Sequence, residues 1–594
     1  MPVVRVLVLA LLFAGSLPFA AAAEPAARDL VSPDTALLVE INQPLQLIDN
    51  PLGRDVWGLI RETTGVKQAL TSPQVDRFRQ APKLFEKSLG VDWRTGIGRL
   101  TAGGIVVAIR PQKPQTEPEV TAILTAADEQ TLKQFVEAVQ SEIRRAANAA
   151  GDKADGHKAP EAEVAAYRSY ECHRIGKGHF SVVGRQFVAS NTRAGLEAAL
   201  DRLAGAAASK PFDPPESLRL VNGAGQPPMI LATLNVKLLR EDPKAKAPLK
   251  FPGNDPIPIV ALGGYLDLFR RADFAAAGLF VDGPGYELKV RFPVGTDGAY
   301  AGLKGYFASE TIESAPRLLR PADTIFTAGW FRDYHKLWEA RRELFNPEVV
   351  QKLEADNAKA QSQGAKIGVA DIVQLIGPHF RFVATRPQPE PVYKIKLDER
   401  LPAFALVVSV RDEAVFRQRV LSAADSLLWL GVSSANLGEI KPNEYRGAKI
   451  NTLRFTEKPE ITEPNKLVLY NFDPSYSLTR GELIIGSTSE IVRNLIDELD
   501  HQASAPESTA PRSERPTDQQ RLSLGELSDF LKGYRQRLVR DAVLNQGLAP
   551  AEAEKEVDVL HQVLRRLGSV TAGSVIGADH FDFGVRLGPA EEKP

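Results

Sequence analysis

The residues best equipped for chemistry in this chain lie together at Glu171, Cys172, His173 and His179: a carboxylate, a thiol and two imidazoles within nine positions. Such ligands would suit zinc or another borderline metal. An extended chain turns successive side chains to opposite faces, so Glu171 and His173 share one face while Cys172 takes the other. No metal and no cofactor is therefore expected, and Cys172 reads as a small side chain of the core.

The usual catalytic signatures are missing. Gly568-Ser569 and Gly573-Ser574 lack the second glycine of a Gly-x-Ser-x-Gly elbow and read as close-packing positions, no His-Glu-x-x-His occurs, and one cysteine cannot make Cys-x-x-Cys. Gly96-Ile97-Gly98 opens like a dinucleotide loop but reaches Thr101 where the last glycine belongs, so a turn before the next strand is expected. Gly176-Lys177 likewise lacks the preceding glycine of a phosphate loop.

Six arginines recur at matching places in the two halves: Arg110, Arg168 and Arg291, then Arg386, Arg446 and Arg586. A guanidinium fork can hold the carboxylate of a ligand or partner, which makes these six the candidate binding residues. The competing expectation is structural, with the arginines capping strand ends or pairing with acids such as Asp128 and Asp412. Trp57 and Trp338 read as core anchors rather than ligand platforms.

The elements that must position these side chains come in two parallel series. Ser32-Pro33-Asp34-Thr35 feeds an apolar run, Ala36 to Ile41, as Pro321-Ala322-Asp323-Thr324 feeds Ile325 to Trp330. Trp57 precedes Arg61-Glu62 at the spacing by which Trp338 precedes Arg342-Glu343. Ser72-Pro73 and Asn346-Pro347 each offer an N-cap followed by proline, the opening of a helix. Strands then run from Gly104 to Ile109 and from Phe380 to Thr385, and again from Val120 to Leu124 and from Phe404 to Val408. Asp128 and Asp412 are placed to cap the amphipathic helices that follow, one carrying Leu132, Phe135, Val136, Val139 and Ile143, the other Phe416, Val420 and Leu427.

Further along, Tyr167-Arg168 answers Tyr445-Arg446, and the strand from Phe187 into a capped helix answers the one from Leu483. Each series closes on an Arg-Arg pair and an alternating strand, Tyr286 to Arg291 and Phe581 to Arg586. The expected fold class is α+β: two tandem copies of an antiparallel sheet with helices packed on one side, pseudo-two-fold related, at residues 24–300 and 301–590. Polar, Pro-rich or Ala-rich stretches at 147–166, 242–258, 458–465 and 503–520 are expected as loops or disordered insertions, the last above all.

At 594 residues the chain has ample length for large cores without disulfides, which its lone Cys172 rules out within the molecule. A formal net charge of -1 and no basic stripe argue against a nucleic-acid partner. Arg5, the apolar run Val6 to Phe13 and Ala21-Ala22-Ala23 form a secretory signal peptide over residues 1–23, cleaved before Glu24, with no transmembrane anchor remaining after cleavage. No cysteine beside the cleavage site can take a lipid.

With its export signal, its Pro-Ala-Asp-Thr opening at 321–324 and its repeated strand-helix units, the chain resembles an exported bacterial domain-of-unknown-function family and the Pro- and Ala-rich secreted proteins of planctomycete-type bacteria. The resemblance implies no activity and transfers no functional residue. The expected function is that of a non-enzymatic binding or structural protein of the bacterial envelope, periplasmic or extracellular and soluble, whose partner is an envelope protein, a polysaccharide or an apolar ligand. Two alternatives stand beside it. One is a secreted hydrolase with a non-local active site, for which a cleft with two carboxylates of perturbed pKa would speak. The other is a carrier of a lipid or other apolar ligand.

Overall fold

The computed structural model describes residues 25–70, 86, 89–111, 117–151, 163–206, 210–241, 251–303, 305–307, 314–362, 367–387, 392–395, 397, 399–426, 428, 437–458, 465–504 and 516–589. The signal peptide with its cleavage site and the helix opening at Ser72-Pro73 lie outside them. Two compact units divide the chain, Met1–Ala245 with Ala272–Arg291, and Lys246–Arg271 with Phe292–Pro594. Both are mixed α+β and built on an antiparallel sheet.

The first unit contains β1 (Leu37–Ile41), β2 (Ile105–Arg110), β3 (Glu119–Thr125), β4 (Glu163–Tyr167), β5 (Tyr170–Ile175), β6 (Gly178–Val183), β7 (Gln186–Ser190), β8 (Ile230–Asn235), β9 (Phe274–Asp282) and β10 (Gly285–Phe292). They pair in the order β10-β9-β8-β1-β2-β3-β7-β6-β5-β4. The second contains β11 (Thr324–Phe331), β12 (Ile376–Thr385), β13 (Ala403–Val410), β14 (Gly438–Tyr445), β15 (Ala448–Phe455), β16 (Ser475–Thr479), β17 (Glu482–Gly486), β18 (Asp518–Ser523), β19 (Ser569–Ile576) and β20 (Phe581–Gly588). Their order is β20-β19-β18-β11-β12-β13-β17-β16-β15-β14, the same as in the first unit.

Short hairpins explain how so many strands fit. Arg446-Gly447 and Arg480-Gly481 each join two strands with both residues at positive φ, from 49° to 76°, the geometry a two-residue turn needs to match the strands' twist. Arg168 takes the same left-handed conformation, φ 52°, between β4 and β5.

Each core forms where a helix covers a sheet. Leu196, Ala199 and Leu200 of the helix Arg193–Leu203 pack on Leu38, Val106, Ala108, Ile123 and Val188. Ile491, Val492, Leu495 and Ile496 of the helix Ser489–Ser504 pack on Val383, Ala405, Val407 and Ile484. These helices start where expected, capped by the hydroxyls of Thr192 and Thr488. Asp128 and Asp412 also cap helices, accepting from Thr131 N at 2.7 Å and Val415 N at 3.0 Å.

Helices are not confined to one side. Leu132, Phe135, Val136 and Val139 lie on the other face, against Leu124, Phe180 and Phe187. The reason is legible in β3, buried along its whole length and therefore apolar on both faces. Gly96-Ile97-Gly98 sits inside the helix Trp93–Leu100, which Asp92 caps, rather than in a turn. The stretch 503–520 is only partly loop: Ala503 and Ser504 end a helix, Asp518 opens β18, and residues 505–515 lie outside the described set.

Candidate functional site

Where strands alternate, one face of the second unit's sheet carries Phe326, Ala328 and Trp330 on β11, Phe380, Phe382 and Ala384 on β12, and Phe404, Leu406 and Val408 on β13. The rings form two groups: Trp330 stacks on Phe380 with centroids 5.7 Å apart, while Phe326 tilts on Phe382 at 6.1 Å and Phe382 stacks on Phe404 at 6.5 Å. Phe404 and Ile485 keep 45% and 48% of their surface exposed, and Phe326, Trp330 and Phe382 are half-buried. So many neighbouring apolar side chains left partly uncovered are unusual for a sheet face, because burying them would stabilise the fold by roughly 25 cal/mol per Å².

At one end of this face opens a cavity of about 290 Å³, walled by Val260, Ala261 and Tyr265 on the helix Pro256–Arg271 and by Trp330, Tyr334 and Phe583 among others. Its floor is polar. Arg332, directly after β11, is buried and pairs with Asp518 at 3.0 Å. The same Nη1 donates to the carbonyls of Phe331 at 2.5 Å and Tyr306 at 3.2 Å, while among the described residues Nη2 reaches only the Tyr265 hydroxyl at 3.5 Å. The other Asp518 oxygen accepts from Tyr265 Oη at 2.5 Å and Ser574 Oγ at 3.0 Å. Arg332 also lies over the Tyr306 ring, 3.9 Å from its centroid.

Local sequence makes this arrangement possible. Gly264 has no side chain, and a Cβ there would collide with the rings of Tyr306 and Phe307, so the helix can approach closely enough for Tyr265 to reach Asp518. The electrostatics are those of a closed pair. Burial by itself would loosen the Arg332 proton, but the Asp518 carboxylate and the two phenols more than offset it and hold the guanidinium's pKa above its ordinary value. Burial, then the Asp518 charge, pushes the Tyr265 phenol well above its usual range, and burial raises Tyr306 to about 12. Both phenols stay protonated at neutral pH.

The six expected arginines do not converge. Arg110 pairs with Asp34 at 3.3 Å and Glu119 at 2.7 Å, and Arg386 pairs with Asp323 and with Glu526. Arg168 reaches Asp201 at 2.6 Å and Arg446 reaches Asp497 at 2.8 Å, each beside a tyrosine, Tyr167 or Tyr445, that donates to the same acid. Arg291 donates to the Arg219 carbonyl at 3.1 Å, and Arg586 is exposed on β20. The acids that Arg110, Arg168, Arg386 and Arg446 pair with are thus others than Asp128 and Asp412, which serve as helix caps. Trp57 is no core anchor either, being 50% exposed, whereas Trp338 is half-buried under the Arg341 guanidinium.

Glu171 and His173 do share a face of β5, 3.4 Å apart, but His173 is buried and stacks on Phe180 at 4.9 Å. Cys172, His173 and His179 all line one cavity of about 120 Å³, where burial raises the thiol pKa and so favours the unreactive form. Among the described residues no three His, Cys, Asp or Glu side chains gather as metal ligands would. A further cavity in the first unit, about 580 Å³, is bounded largely by the Pro-rich segment from Pro211 to Pro228.

Neither a protein-family model nor a curated protein matches the chain. Solved structures do: crystal form III of TP0453 aligns at 9% identity with a TM-score of 0.22, covering 45% of this chain and 78% of that one. Crystal form I of TP0453 aligns at 8% identity with a TM-score of 0.23, covering 47% and 82%. At these TM-scores the likeness says nothing of function.

Proposed function

We propose that this chain is an exported, non-enzymatic binding protein of the bacterial envelope, and that it carries a lipid or other apolar ligand on the open face of its second unit's sheet. The observation that supports the reading is the run of partly exposed rings from Phe326 to Phe404, ending in a bounded cavity. Pockets for small apolar molecules combine such walls with a few placed polar groups. Among the described residues no helix is long and apolar enough to cross a membrane.

Gentle purification from the native host followed by native mass spectrometry should reveal a bound apolar molecule, and the delipidated protein should take up an apolar fluorophore that Phe382→Asp releases. A host-derived protein of bare chain mass that also ignores the fluorophore would end the carrier reading. We also infer a tandem duplication with pseudo-two-fold symmetry, supported by the common strand order and by the matched Tyr-Arg-Asp corners. An experimental structure in which the two units fail to superpose strand for strand would refute it.

A further inference from the structure

We propose that the cavity between the helix Pro256–Arg271 and β11 selects a neutral head group bearing acceptor oxygens, an ester or amide carbonyl, over a carboxylate or a bare hydrocarbon. The inference rests on the carrier reading and adds which end of an amphiphile the floor recognises. Both Asp518 oxygens are engaged, Oδ1 by Arg332 and Oδ2 by Tyr265 and Ser574, which leaves one acceptor site on Oδ1. Donor capacity is the larger unused share at the cavity. Arg332 Nη2 has one long bond of 3.5 Å, and no described residue hydrogen-bonds the Trp330 indole N–H or the Tyr334 hydroxyl.

These three groups line one cavity together with the rings of Trp330, Tyr334, Tyr265 and Phe583. A ligand that fits must supply acceptors to the donors and apolar surface to the rings. Its charge is also constrained. Arg332 and Asp518 neutralise each other, so an anionic head would lose its water without meeting a net positive field, a cost that an ester oxygen avoids. The hydrocarbon tail then continues over the same sheet face along Phe382 and Phe404, whose rings stack on each other.

The test uses the full chain and three probes with the same saturated ten-carbon chain: the methyl ester, the free carboxylate and the alkane, titrated by competition with an apolar fluorophore at neutral pH. The ester should bind about tenfold tighter than either of the others, two neutral hydrogen bonds each contributing about two- to tenfold. Trp330→Phe and Tyr334→Phe should each lower the ester's affinity about three- to fivefold and bring it toward the alkane's. Equal affinities for all three probes, unmoved by either variant, would overturn head-group selection while leaving the carrier reading intact. Tighter binding of the carboxylate would overturn it as well. Failure of every probe, or sedimentation showing a dimer that no probe dissociates, would remove both, the latter assigning the face to a second copy.

Discussion

Two rungs of sheet occupy the same place in the shared strand order and have opposite chemistry. In the first unit Ile41 lies opposite Ile230, Ile230 opposite Leu279, and Leu279 opposite Leu288. In the second the corresponding rung reads Trp330, Asp518, Ser574 and Phe583. Gln43 stands two residues after Ile41, as Arg332 stands two residues after Trp330. An aliphatic rung needs nothing but neighbours, whereas a carboxylate on a buried rung needs a counter-charge and hydrogen bonds. Arg332, Tyr265 and Ser574 provide them. The first unit shows that this topology does not require the ion pair, so the second unit carries it at a cost in desolvation that the strand order does not impose.

The sharpest way to break the comparison is to copy the first rung into the second. Asp518→Ile alone leaves Arg332 buried without a counter-charge and should lower stability by about 3–5 kcal/mol in urea denaturation. Adding Arg332→Met should recover most of that loss, while the ester selectivity described above stays lost. The conservative change Ile230→Val at the matching position of the first unit should cost only about 0.5–1.5 kcal/mol. If Asp518→Ile proves as mild as Ile230→Val, the buried pair is not the feature that sets the units apart.

Most of the sheet was legible in the sequence, and the site was not. Strands such as Ile105 to Ile109 and Phe404 to Val408 announce themselves by β-branched and aromatic runs, and the caps Asp128 and Asp412 by residue type. β18 has no such signature: Asp518-Gln519-Gln520-Arg521-Leu522-Ser523 is mostly polar and follows a Ser- and Pro-rich stretch, so it reads as insertion. Only its partners β11 and β19 make it a strand. One clue was available, since the first half has a plain strand at Ile230–Asn235 before its Arg-Arg pair and the second half lacked an obvious counterpart. The pairing of Arg110 with Arg386 is also offset by a residue. Leu38 lies opposite Ala108, two before Arg110, whereas Thr327 lies opposite Val383, three before Arg386.

The corners at Tyr167-Arg168 and Tyr445-Arg446 are where the units agree, and substitutions there should act alike. Arg446→Gly should be more stable than Arg446→Ala by about 1 kcal/mol, because alanine is strained at φ 49° and glycine is not. Arg168, at φ 52°, should rank the same two substitutions in the same order. A ranking reversed in one unit, read from thermal melts of the four variants, would mean that the two corners are not equivalent.

The smallest expected effect separates the units by pH. Burial, then neighbouring cations, lowers the pKa of His379 and His561 in the second unit, with Arg381 and Lys532 the cations, and of His179 in the first, with Arg174. His561 is the clearest case. Its Nδ1 lies 3.1 Å from Ser528 Oγ and its buried Nε2 has no partner among the described residues, so the imidazolium, with an N–H on both nitrogens, would keep the one on Nε2 without an acceptor there. A folded state that holds histidine neutral binds fewer protons than the unfolded chain once the pH falls below the ordinary value of 6.5, so stability falls as pH drops through that value and the decline ends only below the lowered folded pKa. The slope is at most about 1.4 kcal/mol per pH unit for each such histidine. The second unit should therefore lose protection of its core amides faster than the first between pH 7 and 5 in hydrogen exchange. His561→Gln should narrow the gap, and an unchanged gap would mean that His561 is not what makes the second unit the more acid-sensitive.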